Sequence, residues 1–232
     1  MSQRYDTVLF DADNTLFDFD AAEAQALDLT LEAYGYPVDG RSRDCYLAVN
    51  RDLWERFDRG EVKREWLVVE RFAALQRSLG GHRDPAEMTA LYLPRLAEAG
   101  CLLPGAEELC RALAPSCTLA IVTNGVASAQ RGRFARSPLK ALIPWLFISE
   151  EVGYQKPQRQ FFGAVLSAMS LPPSARIVVV GDSLTADILG AVNAGLDSIW
   201  YNPNGLPGRP DIVPTFEARS FDQISHLILG GA

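Results

Sequence analysis

The feature that most restricts this chain is an interruption. A short β-prone run, Tyr5 to Phe10 (YDTVLF), ends abruptly at Asp11, and β-branched runs are then almost absent until after Gly100. Between about Asp20 and Gly100 the periodicity is helical. The stretch AAEAQALDLTLEAYG is rich in helix formers and stops at Gly35. A second helix is predicted from Ser42 to Arg59, stopping at Gly60, and a third from Lys63 to Leu79, before Gly80-Gly81. A fourth takes Asp84 as N-cap and Pro85 as its first helical residue and runs toward Gly100. Four helices in succession predict a small bundle.

After Pro104-Gly105 the pattern alternates. Helices are predicted near Ala106 to Leu113, between Val122 and Leu146, and near Gln158 to Met169, Thr185 to Ala194 and Phe221 to Leu229. Strands are predicted at Thr118 to Val122, Leu146 to Ser149, Arg176 to Val180 and Ser198 to Tyr201, with a short last one at Thr215 to Ala218. Continuous apolar strands alternating with helices mean a parallel sheet covered on both faces. The chain therefore reads as a doubly wound α/β core, residues 1–17 and 101–232, with an inserted helical cap, residues 18–100. Its 232 residues suit that arrangement, since one domain takes on the order of 150.

Composition removes several functions. Acidic residues outnumber Lys and Arg by 29 to 22, for a net charge of −7, and no Lys/Arg stripe interrupts that balance. A nucleic acid polymer or an anionic membrane surface is thereby an unfavourable partner, whereas a small anion held by a few local donors is not. The four cysteines, Cys45, Cys101, Cys110 and Cys117, show no CxxC spacing, and His82 and His226 are the only histidines, so a zinc site is not expected. No apolar run approaches the roughly 18 residues of a membrane span. Unpaired cysteines and the lack of a signal-type segment point to the cytoplasm. Monomer and homodimer both stay open.

In doubly wound sheets the site lies beyond the carboxyl ends of the strands. Strand 1 is followed by Asp11-Ala12-Asp13-Asn14-Thr15, and TLAIV by Thr123-Asn124-Gly125. RIVVV is followed by Gly181-Asp182-Ser183, with Asp187 five residues beyond Asp182, and Lys156-Pro157 opens the helix near Gln158. Carboxylates held close together repel, and a divalent cation relieves that cost. An all-oxygen set without His or Cys favours magnesium over zinc. Lys156, the Thr123 hydroxyl and backbone N–H groups near Asn124 and Gly125 could bind phosphate oxygens, an arrangement suited to phosphoryl transfer. With no GxSxG, no P-loop and no strand-tip histidine, the available nucleophile is a carboxylate. Asp11 holds the most rigid position, and Asp13, two residues on, can serve the leaving group as acid and the attacking water as base.

These motifs, DxDxT, T-N-G, K-P and GDxxxxD in that order, resemble those of the haloacid dehalogenase superfamily of phosphatases across essentially the whole chain. The resemblance implies a Rossmann-like core with a four-helix cap after the first motif. It implies Asp11 as nucleophile, Asp13 as general acid/base, and Thr123 and Lys156 on the phosphate. It also implies magnesium on Asp11, the Asp13 carbonyl and Asp182, with Asp187 and neighbouring Ser183 in support. The segments DADNTLFDFD, YLAVNRDLWERFDRGEV and ISEEVGYQKP are further similar to a bacterial branch of pyrimidine 5′-nucleotidases that acts on noncanonical nucleotides. That branch implies UMP, dUMP, dTMP and modified pyrimidine monophosphates as substrates, and the expected mechanism has the cap close to exclude water during transfer.

In the cap, Tyr46, Asn50, Leu53, Trp54 and Phe57 fall on one helical face. Asn50 could pair with a pyrimidine edge and Trp54, Phe57 or Phe19 could flank its ring. The competing reading makes the aromatics bundle core and gives Asn50 a local partner. Rival functions are a phosphatase of another small ester (a sugar phosphate or phosphoglycolate), a phosphomutase, a dehalogenase, and a noncatalytic binding protein. The last would be expected to have lost Asp11, Asp13 or Lys156.

Overall fold

The computed structural model describes residues 3–230. Strands β1 (Thr7–Phe10), β2 (Thr118–Thr123), β3 (Trp145–Ile148), β4 (Ile177–Gly181), β5 (Asp197–Tyr201) and β6 (Phe216–Ala218) form one sheet in the order β3-β2-β1-β4-β5-β6. Every pairing is parallel. Phe10 lies level with Ile121 of β2 and Val180 of β4, so the residues that follow these three strands emerge side by side. The direction in which strands are added reverses between β1 and β4, which opens a crevice at their carboxyl ends.

Side-chain alternation along the strands divides the core in two. Val8, Phe10, Leu119, Ile121, Val178 and Val180 face one layer, built by α5 (Ala106–Leu113) and α10 (Phe221–Leu229). Leu9, Ala120, Val122 and Val179 face the other, built by α8 (Arg159–Met169) and α9 (Leu189–Ala194). With both faces covered, strands of nearly continuous apolar residues are what the sheet requires. Two short helical pieces are absent from the sequence reading: α7 (Ser149–Val152), directly after β3, and a 3-10 turn, Pro138–Ala141, after α6 (Ala127–Arg136). The predicted helix from Thr185 is also different. Its first part, Leu184–Ile188, is a π-type turn in which the N–H groups of Asp187 and Ile188 both donate to the Ser183 carbonyl.

The chain divides into two compact units. The helical unit comprises Phe19–Gly100 with Ser128–Arg133, and the other described residues form the α/β unit. Asp18 thus falls with the sheet, where its N–H donates to the Cys101 carbonyl. The segment Ser128–Arg133 groups with the helices because Arg133 donates to the Ala99 carbonyl at 3.2 Å and its guanidinium covers the Phe19 ring.

The helical unit contains α1 (Phe19–Tyr34), α2 (Gly40–Asp58), α3 (Arg64–Leu79) and α4 (Pro85–Glu98). Asp39 and Asp84 cap α2 and α4 by accepting from the N–H groups of Ser42 and Ala86. The Asp39 cap starts α2 two residues before the predicted Ser42. Helices α2 and α3 pack together, as do α1 and α4. Leu53, Phe57 and Leu67 make a small apolar core, and Tyr46, Phe72 and Tyr92 an aromatic one. All four cysteines are free. Among the described residues no helix is long and apolar enough to cross a membrane.

Candidate active site

Each strand that meets the crevice ends in a polar group with a structural reason for its placement. The Asp11 N–H continues the β1 ladder to the Val180 carbonyl at 2.8 Å, so the residue is held as firmly as the strand. The chain then folds back on itself, with Leu16 and Phe17 donating to the Ala12 carbonyl. Asn14 sits in this turn at a φ of 57°, a left-handed conformation that asparagine tolerates better than most residues. Thr15, the last residue of the DxDxT motif, joins β1 to β4. Its hydroxyl accepts from the Asp182 N–H at 3.1 Å and lies 3.4 Å from Asp182 Oδ1.

Lys156 is the centre of the arrangement. Its ammonium is buried and donates to Asp11 Oδ1 at 2.5 Å, to Asp187 Oδ1 at 2.6 Å and to the Val122 carbonyl at 2.9 Å. All three donor positions are used, on groups from the end of β1, from β2 and from the turn after β4. Burial alone would push the ammonium's pKa down; Asp11 and Asp187 more than offset this and hold it above the ordinary lysine range. Asp187 reaches Lys156 because the π-type turn carries its carboxylate against Gly181. A Cβ at Gly181 would overlap that carboxylate, so this position requires glycine. The other Asp187 oxygen accepts from the Ser183 N–H at 3.1 Å, and Ser183 Oγ caps the turn by accepting from Ala186.

The carboxylates here carry more negative charge than one ammonium can balance. Asp11, Asp182 and Asp187 can each offer an oxygen within 4.8 Å of the others. Burial pushes Asp11 well above the usual carboxylate range; the charges of Asp187, Asp182 and Asp13 push it further, and Lys156 opposes them. Burial, then the Asp187 charge, lifts Asp182 to about 7. Such upward shifts express an unmet demand for positive charge. Since Asp187 is engaged by Lys156 and Ser183, Asp11 and Asp182 are the acids that could hold a cation. An oxygen-only pair suits a hard divalent ion.

Thr123 and Asn124 also have partners within the α/β unit. The Gly125 N–H, expected on a phosphate, donates to Thr123 Oγ at 3.0 Å, which leaves the threonine's own proton to point elsewhere. The Asn124 side chain is engaged with the Lys156 backbone. A further residue that the sequence reading did not single out is Trp200 of β5, whose indole N–H donates to the Asp182 carbonyl at 2.8 Å. The available signal was an indole in a buried strand, which needs an acceptor.

A family model of haloacid dehalogenase-like hydrolases matches residues 5–195. The chain belongs to this family. Among haloacid dehalogenase-like relatives, the chain is 38% identical over 226 residues to HAD-hydrolase YfnB of Bacillus subtilis, covering 97% of this chain and 96% of that protein. It is 36% identical to pyrimidine 5′-nucleotidase PynA of Streptococcus pneumoniae, with 95% and 93% covered. It is 32% identical to pyrimidine 5′-nucleotidase YjjG of Escherichia coli, with 97% and 98% covered. A crystal structure of YfnB bound to magnesium superposes with a TM-score of 0.91, covering 97% of this chain and 99% of that one.

The cap residues of the sequence reading have partners within their own unit. Asn50 Nδ2 donates to Glu23 Oε1 at 2.8 Å, and Arg71 approaches Asn50 Oδ1 at 3.5 Å. Phe57 is buried in the cap's apolar core, and half-buried Trp54 meets it edge-on at 5.4 Å. Phe19 lies under the Arg133 guanidinium. Neither Glu23 nor Arg71 carries a sequence signal, yet both are buried around Asn50.

Proposed function

We propose that this hydrolase is a magnesium-dependent phosphomonoesterase of nucleoside 5′-monophosphates, with a preference for pyrimidines. The observation that carries the reading is the Lys156 ammonium fixed between Asp11 and Asp187, beside Asp182, at the open end of the sheet. The pyrimidine preference takes its support from the likeness to PynA and YjjG over nearly the whole chain.

In this reading Lys156 holds Asp11 Oδ1, and the carboxylate's other oxygen attacks phosphorus in line. The Asp11–phosphorus bond forms as the bond from phosphorus to the nucleoside 5′-oxygen breaks. Asp13 gives that oxygen its proton, and the nucleoside departs. Asp13 then takes a proton from water, which attacks the aspartyl phosphate and releases inorganic phosphate with Asp11 restored. Thr123 Oγ, which accepts from Gly125, presents its own proton to a phosphate oxygen. Magnesium, held by Asp11, Asp182 and the Asp13 carbonyl, would supply charge neutralisation on the phosphate.

The test is phosphate release from UMP, dUMP, dTMP, CMP, AMP, GMP, phosphoglycolate and sugar phosphates, with magnesium and with EDTA. Metal-dependent turnover highest on UMP, dUMP and dTMP is the expected result. Strong turnover on sugar phosphates with weak nucleotide turnover would keep the mechanism and remove the pyrimidine preference. No metal-dependent phosphate release from any ester would remove the phosphatase reading.

The raised pKa values also set a stability profile. Asp11 and Asp182 bind protons more tightly in the folded chain than in the unfolded one, and for Asp182 the folded state holds more protons between about pH 4 and 7. Stability of the metal-free protein therefore falls as pH rises through that window. Magnesium should restore it, by an increment that grows with pH. Thermal unfolding in EDTA and in magnesium at pH 5, 6, 7 and 8 checks both slopes. A magnesium increment that does not vary with pH would argue against these two carboxylates as the ion's ligands.

A further inference from the structure

We propose that Asn124 is a positioning residue: its side-chain amide clamps the backbone of Lys156 and so sets where the catalytic ammonium lies. The geometry is reciprocal. Asn124 Oδ1 accepts from the Lys156 N–H at 2.9 Å, and Asn124 Nδ2 donates to the Lys156 carbonyl at 2.9 Å. One side chain thus satisfies both backbone groups of a residue 32 positions away. The pairing also fixes the amide's orientation, because only one assignment of oxygen and nitrogen makes both bonds.

The clamp matters because Lys156 comes from a loop. It precedes α8, whereas the groups its ammonium serves sit at the end of β1, in β2 and in the turn after β4. Asn124 directly follows β2 and is itself buried. Lys156 is therefore fastened to β2 twice, by its backbone at Asn124 and by its ammonium at the Val122 carbonyl. Without the first fastening, the stem must find the three acceptors from an unanchored loop. Direct phosphate binding by this side chain is the competing role to be separated.

The kinetic part of the test rests on the phosphatase reading, whereas the spectroscopic part does not. The chain has only three lysines, Lys63, Lys140 and Lys156, and the first two are exposed. With Lys63→Arg and Lys140→Arg as background, lysine-selective ¹⁵N labelling reports the Lys156 ammonium alone. A buried ammonium with three acceptors exchanges its protons slowly and should give a resolved ¹H–¹⁵N signal. Asn124→Ala is expected to broaden or shift that signal. It should lower kcat by about 10- to 100-fold, the scale of a displacement of about 1 Å, while KM moves less than about twofold. Asn124→Asp keeps the acceptor for the Lys156 N–H but loses the donor to its carbonyl. It should fall between wild type and Asn124→Ala, and it carries the test if the alanine variant does not fold. The proposal is overturned if the Lys156 signal is unchanged in either folded variant. KM and the affinity for inorganic phosphate weakening together with that unchanged signal would identify Asn124 as a phosphate ligand instead.

Discussion

Replacing Asp11 with Asn should abolish turnover, by about 10⁴-fold or more on the scale seen when a nucleophile is removed, without unfolding the chain. The substitution is nearly isosteric. The residue's N–H bond to Val180 belongs to the backbone and stays, and an amide oxygen can still accept from Lys156. The charge is what changes. Burial and neighbouring acids push the Asp11 carboxyl well above its usual range, so in the metal-free chain folding disfavours the ionised form. Neutral Asn removes that cost. Thermal unfolding in EDTA should therefore place Asp11→Asn at or above wild type at pH 8, with the gap narrowing toward pH 5. Rapid-quench trapping of phosphoprotein from labelled substrate should detect an intermediate in wild type and none in the variant. Substantial residual hydrolysis would remove Asp11 as nucleophile. A variant several degrees less stable at pH 8 would mean that the Asp11–Lys156 attraction outweighs burial.

The parts of this architecture that were legible in the sequence are those with local causes. Gly35, Gly60 and Gly80 stop helices because each takes a left-handed conformation that other residues resist. Asp84 and Pro85 mark a helix start through one side-chain bond and one preset φ. Strand tips were recognisable because apolar runs break off at Asp11, Thr123 and Gly181-Asp182. The shared edge followed from the way parallel crossovers work rather than from any contact. What escaped the sequence depends on partners far along the chain. The sequence points to the backbone N–H groups near Asn124 as phosphate donors beside Thr123, whereas the engagement of the Asn124 side chain with Lys156 emerges only when β2 and the loop before α8 come together. Asn50 looked like a lone amide on an apolar face, and its partners Glu23 and Arg71 arrive from α1 and α3. The π-type turn at Leu184–Ile188 has no compositional mark, yet it delivers Asp187 to Lys156 across a glycine.

Lys156→Met should bring the largest combined loss. Methionine keeps an unbranched stem in the same slot and deletes the charge. Two buried carboxylates, Asp11 and Asp187, then lose the ion pair they share. Removing one partner of a buried pair costs about 3–5 kcal/mol, because the other is left uncompensated. In a chain of this size each kcal/mol is worth about 2–4 °C, so the metal-free variant should melt on the order of 10 °C lower at pH 8. The deficit should shrink on acidification, since Asp11 can then take up a proton in place of its lost partner. Turnover should fall by about 10²- to 10³-fold, the effect of losing one preorganised donor to developing charge. Lys156→Arg should recover little of either property. The site surrounds a single nitrogen with Asp11, Asp187 and the Val122 carbonyl, and a planar guanidinium cannot place its donors toward all three from one point. Magnesium should close part of the stability gap, because it supplies positive charge to Asp11, but not the whole of it, because Asp187 faces Lys156 and Ser183. Full recovery by magnesium would mean that the ion reaches Asp187 as well, and that Lys156 and the metal compete for one pool of carboxylate charge.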